Sequence, residues 1–221
     1  MLNEENCLRT LLPHLKEQQI TKQVIEIIVV DGGSTDASIH IAKQLGVTVI
    51  AGKKGRAIQM NTGAAAAKGA ILYFLHVDTL PPKGFDQAII NAVSPVKEAG
   101  CFQMKFDSNH PMLRFFGWCT RFNLPICRGG DQSLFITKSL FEQLHGFNTN
   151  FVVYEDVECI KRIYKKTNFT VLPNTVVTSA RKYQEQGTFR VQYHFAVIHL
   201  KSSLGQSPKK LLAYYKKHLS S

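Results

Sequence analysis

Several polar positions in this sequence carry residue types that could bind phosphate, hold a cation or move a proton. In "VVDGGSTDAS", Asp31 ends a run of β-branched residues, and open α/β sheets bind their ligands at the carboxyl ends of parallel strands. We therefore favour a ligand-binding role for Asp31, as an acceptor of hydrogen bonds from a ribose or a base. Asp36 begins the next predicted helix, where capping and dipole complementarity are the better explanation.

A second candidate is the H-x-D pair in "ILYFLHVDT". The two-residue period of a strand places His76 and Asp78 on the same side, at the carboxyl end of that predicted strand. An imidazole and a carboxylate together can hold a divalent cation that bridges two phosphates and keeps several waters. Such a pair alone is weak support, because most are ordinary polar strand ends. Its position is what favours a metal site.

Two predicted helices begin with charged residues. Arg56 opens a helix rich in small residues, where free N–H groups and the helix dipole favour an anion and a guanidinium adds a forked contact to phosphate. A solvent-exposed surface residue is the alternative. Glu155 and Asp156 open a later helix, and dipole complementarity accounts for one of them. The other could serve as a general base toward a hydroxyl.

The elements that must position these residues alternate in the first half of the chain. Strands are predicted at 24–30, 47–50 and 71–77, with helices at 34–45 and 55–68 between them and a first helix over 8–15. This alternation predicts a parallel sheet with right-handed crossovers. Beyond Pro82 the pattern is α+β, with strands at 100–106 and 133–137 and helices at 138–146, 153–166, 189–200 and 207–219.

Composition limits the class of protein. With 221 residues, 44% of them hydrophobic, the chain can bury the core of one domain. Its five cysteines form no C-x-x-C pair, so neither a disulfide framework nor a zinc site is indicated and buried free thiols are expected. The polar, acidic start "MLNEENC" and the lack of a long apolar run predict a cytoplasmic location.

The basic charge is concentrated at the carboxyl end. Of the net charge of +11, the segment 179–221 contributes eight Lys or Arg residues against Glu185 alone, so we divide the chain into a domain over 1–178 and a basic helical extension over 179–221. Such an extension could approach nucleic acid, an anionic membrane or a phosphorylated substrate, or be a solvated helix face. Lysines flank the apolar residues of its last helix, which fits either a bilayer surface or packing against the domain.

Six motifs in order carry a resemblance to a known family. They are "LNEEN", "VVDGGSTD", "GRAIQMNTGAAAAKGAILYFLHVDT", "GGDQSLFI", "GFNTNFVVYEDVECIKRI" and "TSARKY". Together they closely resemble the inverting family-2 glycosyltransferases with the GT-A fold, and within them the bacterial group of arsenosugar-biosynthesis type. The resemblance spans almost the whole chain. It implies an α/β fold with a mostly parallel sheet flanked by helices, a nucleoside diphosphate sugar donor and a hydroxyl acceptor, which could be lipid-linked.

The same resemblance implies roles for individual residues. Asp31 would contact the base or ribose of the nucleotide sugar, and Asp156, in the E-D pair, would be the catalytic base. Asp78 would stand for the last acid of the D-x-D motif that holds a divalent metal, Mg²⁺ or Mn²⁺. His76 takes the place of the first acid of that motif.

Further positions match the donor and substrate side of the family pattern. Arg181 and Lys182 match a basic pair that faces the diphosphate, and Arg56 would help to neutralise the same group as it leaves. Asp131 and Gln132 match a substrate-loop motif whose chemistry the residue types do not define. The resulting hypothesis is metal-assisted transfer of a sugar with inversion.

One part of the family pattern has no counterpart here. In the family a hydrophobic strand precedes L-N-E-E inside the sheet, whereas this sequence starts at Met1. We expect the sheet to lack that strand and favour truncation over replacement by another segment or a second copy, which keeps a catalytically impaired homologue as an alternative. A nucleotidyltransferase would need a glycine- and arginine-rich first loop, which is missing. A basic nucleic-acid-binding module is the non-enzymatic alternative, although no nucleic-acid motif is recognisable.

Overall fold

The computed structural model describes residues 1–129 and 132–219, so Asp131 lies outside the described residues. The strands are β1 (Ile28–Asp31), β2 (Thr48–Ala51), β3 (Ile71–Phe74), β4 (Thr79–Leu80), β5 (Ala99–Phe106), β6 (Leu134–Thr137) and β7 (Thr170–Thr178). The helices are α1 (Glu5–Gln18), α2 (Ser38–Gln44), α3 (Arg56–Ala66), α4 (Phe85–Ala92), α5 (Pro111–Cys119), α6 (Lys138–Gln143), α7 (Glu155–Tyr164), α8 (Arg181–Gln186), α9 (Thr188–Ser203) and α10 (Pro208–Leu219). A short 3₁₀ helix spans Pro125–Cys127.

The strands form two sheets. β1 and β2 pair in parallel, as their alternation with α2 predicts. The second sheet has the order β3-β6-β5-β7-β4, in which β5 and β7 are parallel and the other neighbours antiparallel. The predicted α/β class is therefore confirmed, with a sheet that is mixed because β6 and β4 run against their neighbours.

In the part of the chain that the structure describes, β1 pairs with β2 and with no other strand. The carbonyl oxygen of Val30 instead accepts hydrogen bonds from the Met1 amine at 2.7 Å and from Nε2 of Gln59 at 3.0 Å. The same Gln59 nitrogen donates to the Met1 carbonyl at 2.9 Å. Helix α3, which carries Gln59, thus holds the edge of β1.

The hydrophobic core joins the beginning and the end of the chain. Leu8 and Leu12 of α1 belong to the same buried cluster as Val191 of α9 and as Leu211 and Leu219 of α10. Burial of a leucine side chain stabilises a fold by about 1.5 to 3 kcal/mol. Packing therefore accounts for the apolar face of the last helix. Across the part of the chain that the structure describes, no helix has the length and apolar character needed to cross a membrane.

Two acidic residues cap each other's helices at the start of the fold. Asp36 accepts hydrogen bonds from the Ser38 amide at 3.0 Å and from the Glu5 amide at 3.2 Å. Glu5 in return accepts one from the Ala37 amide at 3.1 Å. The carboxylates satisfy N–H groups that a helix leaves without internal partners, and the capping role expected for Asp36 matches this geometry.

Candidate functional site

The guanidinium of Arg56 brings together residues from three separate segments. Its Nη2 lies 2.7 Å from Oδ2 of Asp156 and 2.9 Å from Nε2 of His76, and its Nε lies 3.0 Å from Oε1 of Glu155. Arg56 can occupy this place because Gly55, with a φ of 139°, ends the preceding loop and starts α3. We call these four residues, Arg56, His76, Glu155 and Asp156, the arginine cluster.

Exposure separates the two acids of the arginine cluster. The side chain of Glu155 is fully buried, whereas that of Asp156 is 13% exposed and that of Arg56 is 49% exposed. A buried carboxylate is costly unless it is paired. The ion pair with Arg56 meets this need for Glu155 and at the same time fixes the position of the guanidinium. Asp156 is left as the acid that can meet a ligand from solvent, and its role as the base stays a prediction.

The residue before these acids has an unusual backbone conformation. Tyr154 has a φ of 74° and lies in the left-handed region, which costs a non-glycine residue on the order of 1 to 3 kcal/mol. Its hydroxyl lies 3.0 Å from Nδ1 of His199 on α9, and Nζ of Lys161 donates to it at 3.1 Å. Burial, with the Lys161 charge, lowers the pKa of His199. Helix α9 therefore holds the start of α7 in place, an arrangement that sequence reasoning missed.

The H-x-D pair does not lie on a strand. β3 ends at Phe74, and His76 and Asp78 fall in a turn closed by a hydrogen bond from the Thr79 amide to the His76 carbonyl at 3.1 Å. The prediction that strand alternation orients both residues is therefore wrong. The strand stops at Phe74 because this residue pairs with Leu134, where the partner strand β6 begins.

Each residue of the H-x-D pair interacts with an arginine. His76 contacts Arg56, whereas the charge of Asp78 acts on Arg181, whose Nη2 also lies 3.4 Å from Oε1 of Glu4. Glu4, and to a smaller degree Asp78, raise the pKa of Arg181. Burial, together with Glu4, raises the pKa of the neighbouring Cys7 thiol to about 11. The basic residue expected to face the diphosphate therefore interacts electrostatically with the expected metal ligand.

The donor set can be compared with the needs of a divalent metal. Within residues 1–129 and 132–219, no three His, Cys, Asp or Glu side chains form a cluster that could hold a metal ion. Mg²⁺ usually takes only one or two protein carboxylates, and substrate phosphates and waters complete its shell. Asp78, at a turn beside Arg181, fits such a single-carboxylate site. His76 would have to give up its contact with Arg56 before it could bind the metal.

Asp31 is buried, and its carboxylate accepts hydrogen bonds from amides of the loop that follows β1. Its Oδ2 accepts hydrogen bonds from the amides of Gly33 at 2.8 Å and Ser34 at 3.1 Å. Burial alone would raise the pKa of Asp31, but the hydrogen bonds from Ser34 and Gly33 outweigh it and hold that pKa below its usual value. The carboxylate thus shapes the loop after β1, and its contact with a nucleotide stays a prediction.

Two other predicted residues contact neighbours outside the arginine cluster. Gln132 is buried, where its Oε1 accepts a hydrogen bond from Nη1 of Arg128 at 3.0 Å and its Nε2 donates to the Cys127 carbonyl at 2.9 Å. Lys182 donates to the hydroxyl of Tyr215 at 2.7 Å. Their expected roles toward substrate and diphosphate stay predictions.

Solved structures define the class to which this fold belongs. A mannosyltransferase from Pyrobaculum calidifontis in complex with GDP-Man and Mn²⁺ aligns with a TM-score of 0.70 and 19% identity, over 99% of this chain and 66% of that one. Residues 1–349 of S. aureus TarS in complex with UDP-GlcNAc align with a TM-score of 0.63 and 16% identity, over 81% of this chain and 56% of that one. Glucosyl-3-phosphoglycerate synthase from Mycobacterium tuberculosis, in complex with phosphoglyceric acid, aligns with a TM-score of 0.64 and 14% identity, over 99% of this chain and 77% of that one.

At these identities the likeness shows the fold, which is that of the GT-A glycosyltransferases. The chain spans less than two thirds of the mannosyltransferase and of TarS. Residues 1–154 match the profile of glycosyl transferase family 2, and the chain belongs to this family. No match is found among curated proteins.

Proposed function

We propose that this protein transfers a hexose from a nucleoside diphosphate sugar to an acceptor hydroxyl with inversion at the sugar carbon. The observation that carries the proposal is the arginine cluster, in which a half-exposed guanidinium, an imidazole and a solvent-reachable carboxylate meet at the start of α7. Family membership supports sugar transfer from a nucleotide sugar. The five cysteines, all free, fit a reducing cytoplasm.

Each residue of the site has a defined part in this proposal. Oδ2 of Asp156 takes the proton of the acceptor hydroxyl. At the same time the hydroxyl oxygen attacks the sugar carbon from the face opposite the diphosphate. Arg56 and Arg181 place positive charge where the leaving diphosphate gains negative charge. Asp78, with His76, would hold a divalent metal, which supplies further charge stabilisation to the two phosphates. Glu155 holds Arg56 in position.

The donor is the first part of the proposal to test. Two of the similar structures hold GDP-Man and UDP-GlcNAc, so we infer that this chain takes a related nucleotide sugar, as the arsenosugar-type group would. A ligand that binds only the folded state stabilises it by about 2.7 kcal/mol at a concentration of 100 times Kd. Thermal unfolding with UDP-, GDP- and dTDP-sugars should therefore show a clear rise in Tm with one of them.

The same assay tests the metal. We expect the donor to raise Tm more in the presence of Mn²⁺ or Mg²⁺ than in the presence of EDTA, because a metal held by Asp78 would add positive charge next to the bound diphosphate. Asp78→Asn should lose the metal-dependent part of the rise and keep the remainder, whereas Asp36→Asn, a carboxylate that caps helices, serves as the matched control. If no nucleotide sugar raises Tm under any of these conditions, the proposed donor class is wrong.

A further inference from the structure

A group of exposed apolar side chains outside the arginine cluster has no role in the proposed transfer. It lies on α5, on the turn after it and on the 3₁₀ helix, and its exposed side chains are Phe115, Trp118, Phe122, Leu124 and Ile126, between 42% and 81% exposed. Contiguous apolar patches of this kind mark interaction sites on soluble domains. We call these five side chains the aromatic surface.

Internal contacts hold these side chains outward. The rings of Trp118 and Phe122 meet edge to face at 4.8 Å, and those of Phe115 and Trp118 stack at 6.1 Å. Beneath them the guanidinium of Arg128, which is almost fully buried, donates hydrogen bonds to the carbonyl oxygens of Thr120 and Phe122. The turn that carries Phe122 is thus fixed to the domain by a buried cation.

The chain segment that carries the aromatic surface has charged residues of one sign. From Ser108 to Gly129 the sequence contains no Asp or Glu. Arg114 and Arg121 are both exposed, and the guanidinium of Arg121 lies 5.2 Å from the centre of the Trp118 ring. Any partner of this surface must therefore accept apolar contact and positive charge side by side.

A polar cleft opens beside the aromatic surface. Its volume is about 580 Å³, and its lining includes the basic side chains of Lys105, Arg114 and Arg121 and the ring of Trp118. Asp107 also lines it, and its carboxylate accepts a hydrogen bond from the Ala180 amide at 2.6 Å. Three cations against one engaged carboxylate favour an anion of phosphate type in the cleft.

We propose that the aromatic surface binds the interface of an anionic phospholipid bilayer and that the cleft takes a lipid phosphate. Aromatic rings and arginines together favour the boundary between headgroups and acyl chains, and an anionic leaflet complements their positive charge. A protein partner would have no need of a phosphate-type cleft among the rings. The contact lies on α5, and not on α10, whose apolar residues Leu211 and Leu219 are buried.

This inference does not rest on the donor chemistry, but it bears on the acceptor. The amide of Asp107 donates to the Thr178 carbonyl, and the Ser179 amide donates to the carbonyl of Asp78. Backbone hydrogen bonds therefore connect one end of the polar cleft, through the end of β7, to the turn that carries the expected metal ligand. An acceptor carried on a membrane lipid fits this arrangement.

Trp118 is the one tryptophan of the sequence, and it reports on this surface. With vesicles of phosphatidylcholine containing phosphatidylglycerol, at low salt, we expect its emission to shift to shorter wavelength and the protein to sediment with the vesicles. Pure phosphatidylcholine vesicles should bind at least tenfold more weakly, and added salt should weaken binding to the anionic ones. Nitroxide-labelled lipids should quench the emission.

Variants identify the surface that makes the contact. Phe122→Ser with Ile126→Ser, and separately Arg114→Gln with Arg121→Gln, should each weaken binding to anionic vesicles at least tenfold. Phe189→Ser, an exposed ring on α9, is the matched control and should change little. The rise in Tm with donor should be the same in all of them, which separates a failure of this inference from a failure of the proposed function.

Three results would overturn the proposal. One is the absence of vesicle binding and of any shift in Trp118 emission at low salt. Another is binding that Lys209→Gln with Lys210→Gln abolishes while the emission of Trp118 stays unchanged, which would assign the contact to α10. The third is a concentration-dependent dimer that shields Trp118 in the absence of lipid, which would make the aromatic surface an interface between copies of the chain.

Discussion

Replacement of Asp156 by Asn should abolish sugar transfer and leave donor binding nearly unchanged. The amide keeps the size of the side chain and an oxygen that can accept a hydrogen bond from Arg56, which lies 2.7 Å from Oδ2. It cannot take a proton, and loss of a general base typically lowers rate by a factor on the order of 10² to 10⁴. Because the base acts in the transition state, the loss should appear in kcat, while calorimetric Kd for the donor changes little.

Glu158→Gln provides the control for this variant. Glu158 lies on the same helix and makes an ion pair with Arg162 at 2.8 Å, so it tests the effect of losing an acid from α7 alone. Turnover in this variant should stay within a few-fold of the wild type. Turnover near the wild-type value in the Asp156→Asn protein would instead exclude Asp156 as the base.

Arg56→Gln should lower both activity and stability, for separable reasons. Removal of a donor that stabilises developing negative charge typically costs on the order of 10² to 10³ in rate. Loss of the guanidinium also leaves the buried carboxylate of Glu155 without its ion pair at 3.0 Å. For a partner that is half exposed, we expect a loss of about 1 to 3 kcal/mol in the free energy of unfolding.

A double-mutant cycle with Glu155→Gln separates the two effects. The double variant no longer has the buried carboxylate of Glu155, so urea unfolding should recover most of the stability that Arg56→Gln loses. Its activity should stay as low as that of Arg56→Gln, because the leaving diphosphate still lacks the guanidinium. Recovery of activity together with stability would show that Arg56 only supports the fold.

The sequence indicated which residues could do chemistry at the site better than it indicated which residues contact one another there. Arg56 and Asp156 could be chosen by residue type and by their places at helix starts, yet the ion pair between them joins positions 100 residues apart and depends on the packing of α3 near α7. The left-handed backbone of Tyr154 and its contacts with His199 and Lys161 gave no signal, because they depend on packing between α7 and α9. The buried Arg128 was missed because a sequence does not show burial.

The same distinction explains which elements were found. Helices α1, α3, α7 and α10 have apolar residues at helical spacing or clear end signals, and the structure has them close to the predicted bounds. Helix α5 has no such contrast, because its exposed side carries the rings of Phe115 and Trp118 and is as apolar as the side that buries Leu113. Strand β7 was missed since Pro173 and Asn174, residues typical of turns, interrupt its apolar pattern.

The contacts of Arg56 also have a consequence for kinetic order. While Nη2 of Arg56 holds Oδ2 of Asp156, the oxygen that must take the acceptor proton is engaged, and a diphosphate is the ligand that can draw the guanidinium away. Donor should therefore bind first and acceptor second. Product inhibition then has a distinct pattern, in which the nucleoside diphosphate competes with the donor and not with the acceptor. Competition with both would mean that the acceptor binds an enzyme whose base is still paired. The ion pair between Arg56 and Asp156 thus makes acceptor binding depend on an earlier movement of Arg56 toward the diphosphate of the donor.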